Sequence, residues 1–354
     1  MTIAYVNRIA TAVPPHDVHT TFLRLAKSML NGQAGVFERV AKRSGIDHRY
    51  SFLAPSADPD GGIIDRDEFY VRGNFPSTAN RMRYFEAHAP QLAAAAITRL
   101  GLGKERESIT HLLITCCTGL SAPGLDLEII ERCGLPASTE RTINGFMGCY
   151  AAINALKVAR HIVRSEPLAR VLIVNLELCT LHLQETSELE KVLAFLLWGD
   201  GCAAALVSSE PRGLMLEEFR ALIVPDSRDL ITWHVRDQGF DMALSGHVPA
   251  AIQEALKGRI HEILGQTPLK AIDLWAVHPG GKSVLDAVER ALDLAPQALS
   301  VSRDVLRQFG NMSSATVMFV LDQLMRIAAK GSAGLAMSFG PGLVAETMRF
   351  RAGR

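Results

Sequence analysis

A thiol, an imidazole and a carboxamide each stand beside small residues in this 354-residue chain: Gly145-Phe-Met-Gly-Cys149, His278-Pro-Gly-Gly281 and Gly310-Asn-Met-Ser-Ser314. A cysteine that opens a helix gains thiolate character from the positive end of the helix dipole. A neighbouring imidazole can hold it as an ion pair. A carboxamide N–H beside that imidazole can stabilise a developing enolate or oxyanion, and one such donor is worth about 3 kcal/mol of barrier. The set suits covalent acyl transfer joined to a step that builds negative charge on a thioester oxygen. Taken singly, each residue has a plainer reading: Cys149 as a small core hydrophobe, His278 as a hydrogen-bonded strand end, Asn311 as a helix N-cap.

The elements that must position these groups pair by spacing. Cys117 and Cys149 are 32 residues apart, and His278 and Asn311 are 33 apart. In each half a strand-like run, 112–116 or 273–277, enters a turn containing Gly or Pro. A helix-like stretch follows, and a Gly-X hinge, Gly148-Cys149 or Gly310-Asn311, opens a second helix. This predicts a duplicated unit whose halves, 1–211 and 212–354, share one site, with the boundary at the turn signal Pro211-Arg212-Gly213. Strands alternating with helices imply an α/β fold with a mainly parallel, doubly covered sheet in each half. Strands are expected at 4–13, 111–117, 170–178, 202–208 and 214–223, and helices over 20–43, 79–101, 124–133 and 249–264. The helix after Cys149 is apolar almost all round its first turns and should be buried. Residues 51–76, rich in Pro, Asp and Gly, read as a long surface excursion, and 224–248 as a variable stretch.

The 37 basic and 37 acidic side chains balance, so no global field draws the protein to nucleic acid or to an anionic membrane. The six cysteines (116, 117, 133, 149, 179 and 202) form no CxxC pair and no His/Cys cluster at metal-ligand spacing. Neither a metal site nor a disulfide framework is therefore expected, which points to a reducing cytoplasm. The first residues show no basic segment followed by an apolar one, so no export signal is read. No apolar run approaches the roughly 20 residues of a membrane span.

Together with the near-terminal Ser338-Phe-Gly-Pro-Gly342, the three segments occur in an order that resembles the chalcone synthase-like superfamily of type III polyketide synthases, over nearly the whole chain. The resemblance implies a thiolase-type αβαβα fold of two duplicated halves with mixed, mainly parallel sheets, a homodimer, and Cys149, His278 and Asn311 as the catalytic set. Members of the superfamily load an acyl-CoA starter on the cysteine, decarboxylate malonyl-CoA, condense, repeat and cyclise. CoA thioesters are thus the substrates, and no cofactor is implied. Trp198 stands where the family usually has a gatekeeper phenylalanine between CoA tunnel and cavity, and Phe240 resembles the second gatekeeper. Arg39, Arg43, Gly280 and Gly281 would then lie along CoA, with Gly340 and Pro341 beside the substrate.

The segment 115–124 resembles the family's cavity-lining and dimer-contact loop. The implied lining residues are Cys117, Thr118 and Ala122, with Cys179 and His182 at the neighbouring strand end. Small, fairly apolar Cys117, Ala122 and Cys179 are similar to bacterial members that take long fatty acyl starters through an extra tunnel. Burying one methylene is worth about 0.8 kcal/mol, so such a tunnel would select for chain length. The expected products are alkylresorcinols or alkylpyrones from a medium- or long-chain acyl-CoA. Glu177 could position a water for ring closure or could be structural. Three alternatives stand beside this reading. One is a tetrahydroxynaphthalene synthase using malonyl-CoA alone, whose members also carry cavity cysteines. Another is a ketoacyl-carrier-protein synthase, whose histidine segment usually reads His-Gln-Ala-Asn. The third is a non-catalytic acyl-CoA-binding scaffold, which the presence of all three groups argues against.

Overall fold

The computed structural model describes residues 2–30, 32–59 and 62–353. Its strands are β1 (Tyr5–Ala12), β2 (His16–Asp17), β3 (Tyr50–Ser51), β4 (His111–Cys116), β5 (Glu140–Gly145), β6 (Val171–Leu178) and β7 (Asp200–Ser208). They continue as β8 (Leu214–Ile223), β9 (Ile231–Arg236), β10 (Gly239–Leu244), β11 (Leu274–Val277), β12 (Ala333–Gly340) and β13 (Val344–Ala352). The helices are α1 (His19–Met29), α2 (Ala34–Ala41), α3 (Thr78–Leu100), α4 (Leu125–Cys133), α5 (Ala151–Ser165), α6 (Leu189–Phe195), α7 (Val248–Leu264), α8 (Lys282–Leu292), α9 (Ser300–Phe309) and α10 (Thr316–Ile327).

Nine strands form one sheet in the order β11-β12-β13-β8-β1-β7-β6-β4-β5. Parallel pairing joins β4 to β5 and β6, and β11 to β12; the other neighbours are antiparallel. Followed strand by strand, β1, β4, β5 and β6 run one way with only β7 reversed. In the second half β8, β11 and β12 agree with only β13 reversed. Each half is therefore mixed and mainly parallel in direction. The halves do not keep separate sheets, because β1 and β8 pair across the junction, Tyr5 with Met215 and Val6 with Leu214.

Alternation along the strands explains the layers. Leu112, Ile114, Leu172, Val174, Cys202 and Ala204 pack on Ala89, Leu92, Ala93 and Ala96 of α3. Their alternate neighbours Leu113, Val171, Ile173, Ala203 and Ala205 pack on Ala152, Ile153, Ala155 and Leu156 of α5, and α10 joins the same core. Val277, Leu335 and Met337 of the second half meet Ile252, Leu256, Leu285 and Val288 of α7 and α8. The result is five layers: helix, one half's part of the sheet, helix pair, the other half's part of the sheet, helix. Strands covered on both faces are buried throughout, as every residue of β6 and β7 is.

Three segments depart from expectation. The helical stretch 20–43 is two helices, α1 and α2. The described part of the excursion, 51–59 and 62–76, is folded down: the Asp65 carboxylate accepts the N–H groups of Asp67, Phe69 and Tyr70, and Leu53, Ile64 and Tyr70 are buried; residues 60 and 61 lie outside the described residues. The variable stretch 224–248 holds the hairpin β9–β10, whose strand alternation is masked by polar residues on its open face. Among the described residues no helix is long and apolar enough to cross a membrane.

Candidate active site

Both Gly-X hinges stand at the entrance to the central helices. Cys149 lies in a single 3-10 turn, Gly148–Tyr150, that runs into α5, and Asn311 precedes a matching turn, Ser313–Ala315, before α10. Gly148 has φ +72° and a Cβ there would overlap the Pro341 ring; Gly310 has φ +68° and a Cβ would come within 2.6 Å of the Leu197 carbonyl oxygen. Only glycine fits both the backbone conformation and the space. His278 continues β11, its N–H donating to the Met337 carbonyl at 2.8 Å.

Cys149, His278 and Asn311 meet at the inner end of one cavity of about 990 Å³, with Trp198, Phe339 and Gly340 beside them. Gly280 and Gly281 form part of its wall, and Arg43 and Lys282 stand among its polar residues. The Cys149 sulfur is 3.8 Å from the Ser313 hydroxyl. Asn311 is held in one orientation: Oδ1 accepts from the Ser313 N–H at 2.8 Å, and Nδ2 donates to the Gly280 carbonyl at 3.2 Å. Its other Nδ2 hydrogen faces the Cys149 sulfur. Both His278 ring nitrogens are buried and have no partner among the described residues, so its N–H is uncommitted.

Burial pushes the Cys149 thiol up to about 12, a rise opposed by hydrogen bonds from Ser313 and Asn311 and reinforced by the Glu177 carboxylate. Burial likewise pushes the His278 imidazole down to about 3. The site therefore favours a thiol beside a neutral imidazole over the ion pair that cysteine–histidine activation suggests. A neutral imidazole retains one N–H to donate.

Other expected site residues divide by location. Trp198 lines the cavity and is joined to Asn311 through backbone bonds, Asn311 N–H to Leu197 carbonyl at 2.7 Å and Gly199 N–H to Asn311 carbonyl at 3.0 Å. Gly280, Gly281, Gly340 and Arg43 line it too, whereas Pro341 backs Gly148 from behind. Arg39 is exposed on α2 and does not reach the cavity wall. Phe240 does not line the cavity either: its ring stacks on His182 at 4.1 Å. Met242, two residues along the same face of β10, lines it instead.

Cys117, Thr118, Glu177 and His182 are buried behind the cavity rather than in its wall. Trp233, unremarked in the sequence, fills that space: its indole N–H donates to the Cys117 carbonyl at 2.9 Å, and its ring packs edge-on to His182 and Phe240. The Cys117 sulfur accepts the Gly148 N–H at 3.0 Å, and so braces the turn that carries Cys149. Ala122 is exposed on its loop, away from the cavity of its own chain. Cys179 walls a second, apolar cavity of about 70 Å³ that lies on the other side of Trp198, against α1 and the 51–70 segment. Ser313, φ +47°, was within reach of sequence reasoning, since it belongs to the quoted Gly-Asn-Met-Ser-Ser segment. Lys282 and Met242 carried no such signal.

Glu177 is fully buried, and both oxygens are taken. Oε2 accepts from the Cys117 N–H and Thr118 hydroxyl at 2.9 Å, Oε1 from the Ser314 hydroxyl at 2.6 Å. It ties the two halves together beneath the site. Burial raises its carboxyl to about 7 from 4.5. The folded state thus holds a proton that the unfolded state releases between about pH 4.5 and 7. Stability should fall as pH rises through that window, by about 3 kcal/mol from this group. Glu177→Gln, able to accept from Cys117 and Thr118 and donate to Ser314, should flatten this part of a Tm-against-pH profile. An unchanged slope would exclude Glu177 as its source.

A thiol, a neutral imidazole and a carboxamide around one cavity can carry an acyl group and stabilise an enolate. Residues 3–211 match the chalcone and stilbene synthase N-terminal domain and residues 216–353 the C-terminal domain. The chain is 32% identical to the alpha-pyrone synthesis polyketide synthase-like Pks18 of Mycobacterium tuberculosis, covering 99% of this chain and 91% of that protein. It is 31% identical to bisdemethoxycurcumin synthase of Oryza sativa, over 99% of this chain and 92% of the relative. The crystal structure of PKS-I from the brown alga Ectocarpus siliculosus superposes with a TM-score of 0.88 at 27% identity, covering 99% of each chain. With both domains matched in order on a thiolase-like fold, the chain belongs to the chalcone and stilbene synthase family and is a type III polyketide synthase, a condensing acyltransferase.

Proposed function

We propose that the protein loads a medium- or long-chain fatty acyl-CoA starter on Cys149, extends it with malonyl-CoA and closes the chain to an alkylpyrone or alkylresorcinol. The observation that carries this reading is the cavity of about 990 Å³ at Cys149, whose wall is largely apolar, with Leu193, Leu196, Leu197, Ile231, Met242 and Ile252 in it. The alpha-pyrone synthesis named for the mycobacterial relative favours lactone closure over aldol closure.

The steps follow from the donors available. Cys149 loses its proton to His278 as its sulfur attacks the starter thioester; CoA thiolate leaves and takes that proton. Malonyl-CoA then loses carbon dioxide, and the electron pair of the broken C–C bond passes into the thioester as an enolate. The N–H groups of His278 and Asn311 receive the enolate oxygen. The enolate carbon attacks the acyl carbonyl on Cys149, a C–C bond forms, and the Cys149 thiolate is expelled from the tetrahedral oxyanion. The lengthened β-ketoacyl-CoA reloads on Cys149 for the next cycle. No strong base is needed, in keeping with an amide at position 311. Arg43 and Lys282, the latter paired with Asp286, would supply cations for the CoA phosphates.

A second copy of the chain is proposed against the edge strand β5 and the loop before α4, where Leu120, Ile143 and Met147 are exposed. Sedimentation at micromolar concentration should give twice the monomer mass. Six free cysteines fit a reducing cytoplasm.

Mass spectrometry of products from purified protein, malonyl-CoA and acyl-CoAs from acetyl to stearoyl tests the starter. We expect kcat/KM to rise about fourfold per methylene until the apolar space is filled. Product from malonyl-CoA alone would make this a naphthol-forming synthase. No product with any starter would leave the scaffold reading.

A further inference from the structure

Arg49 is an unusual buried cation. Its side chain is only 2% exposed, yet among the described residues no carboxylate pairs with its guanidinium. Asp17 and Asp200 balance it from further away, and the ring of Phe22 lies 4.6 Å beneath it. A charge so placed is costly unless its donors are used.

Nε and Nη1 are used, Nη2 has no partner among the described residues, and Nη1 serves a single turn. Nη1 donates to the Phe195 carbonyl at 2.9 Å and to the Trp198 carbonyl at 2.7 Å. The first is the last residue of α6, whose C-terminal carbonyls attract a cation. Nε donates to His19 Nδ1 at 3.0 Å, anchoring the guanidinium to α1. The aliphatic stem lies against both site glycines: a Cβ on Gly310 would come 2.8 Å from Arg49 Cγ, and one on Gly199 3.5 Å from Arg49 Cβ. Trp198 and Asn311 are themselves joined as a parallel bridge. One side chain thus touches the Trp198 carbonyl, the Gly199 side of the turn and the Gly310 hinge.

We propose that Arg49 is a positioning residue that clamps the Trp198–Asn311 bridge, and so holds the Asn311 amide at the place where the enolate oxygen forms. The proposal rests on the role given to Asn311 above. Cys149 belongs to a different turn, braced by Cys117 and Pro341, and none of the three side-chain hydrogen bonds of Arg49 goes to it. Arg49 should therefore matter for decarboxylation and condensation and not for acyl loading.

Arg49→Lys keeps the charge but offers one ammonium where the arginine reaches three acceptors. Loading is read as the rate of acyl-adduct formation on Cys149 by intact-protein mass spectrometry. Condensation is read as kcat, and malonyl-CoA binding through KM. A shift of the amide by a few tenths of an ångström to one ångström should lower kcat about tenfold to a hundredfold, with loading and KM nearly unchanged. A merely structural loss would lower loading and condensation together with Tm. Should Arg49→Lys not fold, His19→Phe removes only the Nε acceptor, and a smaller fall confined to kcat is expected. Unchanged condensation in the folded variant, or equal losses in loading and condensation, overturns the proposal. Asn311→Ala run in parallel separates the two claims: if it also condenses normally, the role of Asn311 fails first.

Discussion

Cys149→Ala is expected to lower polyketide formation by at least about 10⁴-fold and to leave no acyl adduct in the intact-protein mass spectrum. Among the described residues Cys149 is the only thiol lining the large cavity, so no other sulfur can take the chain. The Ser313 hydroxyl is close, but an alcohol with no base of its own is a far weaker nucleophile. The fold should survive, because the change removes one sulfur from a site that already opens onto a cavity. Decarboxylation of malonyl-CoA should persist, since His278 and Asn311 remain to hold the enolate. Acetyl-CoA would then accumulate without condensation. An adduct elsewhere, or product at a few per cent of the native rate, would mean that Cys149 is not the carrier.

Asn311→Ala should reduce decarboxylation and condensation about 10²- to 10³-fold, the effect of deleting one preorganised donor. Starter loading on Cys149 should continue. The alanine variant has a second consequence, because Oδ1 also holds the Ser313 N–H, and Ser313 has φ +47°. Losing that acceptor should cost about 1–3 kcal/mol of stability. Asn311→Asp keeps the acceptor for Ser313 but sets an oxygen against the Gly280 carbonyl, so Tm should fall here too, with decarboxylation again low. Were loading to fall in step with decarboxylation in both variants, the amide would not be an enolate donor.

The reactive groups were legible because their chemistry is tied to local backbone. Gly148 and Gly310 need positive φ in a space that admits no Cβ, so glycine at each hinge is visible in one dimension. The same holds for the duplication, since β4 with α5 and β11 with α10 repeat one pattern at nearly one spacing. The alternation of strands with helices likewise announced a sheet covered on both faces. The cavity wall was not legible in this way. Phe240 and Met242 lie on one face of β10, and which one meets the cavity depends on where His182 and Trp233 have packed. Arg39 and Arg43 read alike as cations, but only Arg43 stands at the cavity.

By itself, then, the sequence determined the repeated α/β unit, the hinge glycines and the thiol, imidazole and carboxamide, because each depends on neighbours within a few residues. Only the tertiary structure decided that the halves share one sheet, that Glu177 spends its oxygens joining them, and that Trp233 fills the space behind Cys117. The small cavity behind Trp198 and the buried Arg49 belong to the same class. Each is made by residues more than a hundred positions apart, and volume, burial and hydrogen-bond capacity at such a place are properties of the packed whole.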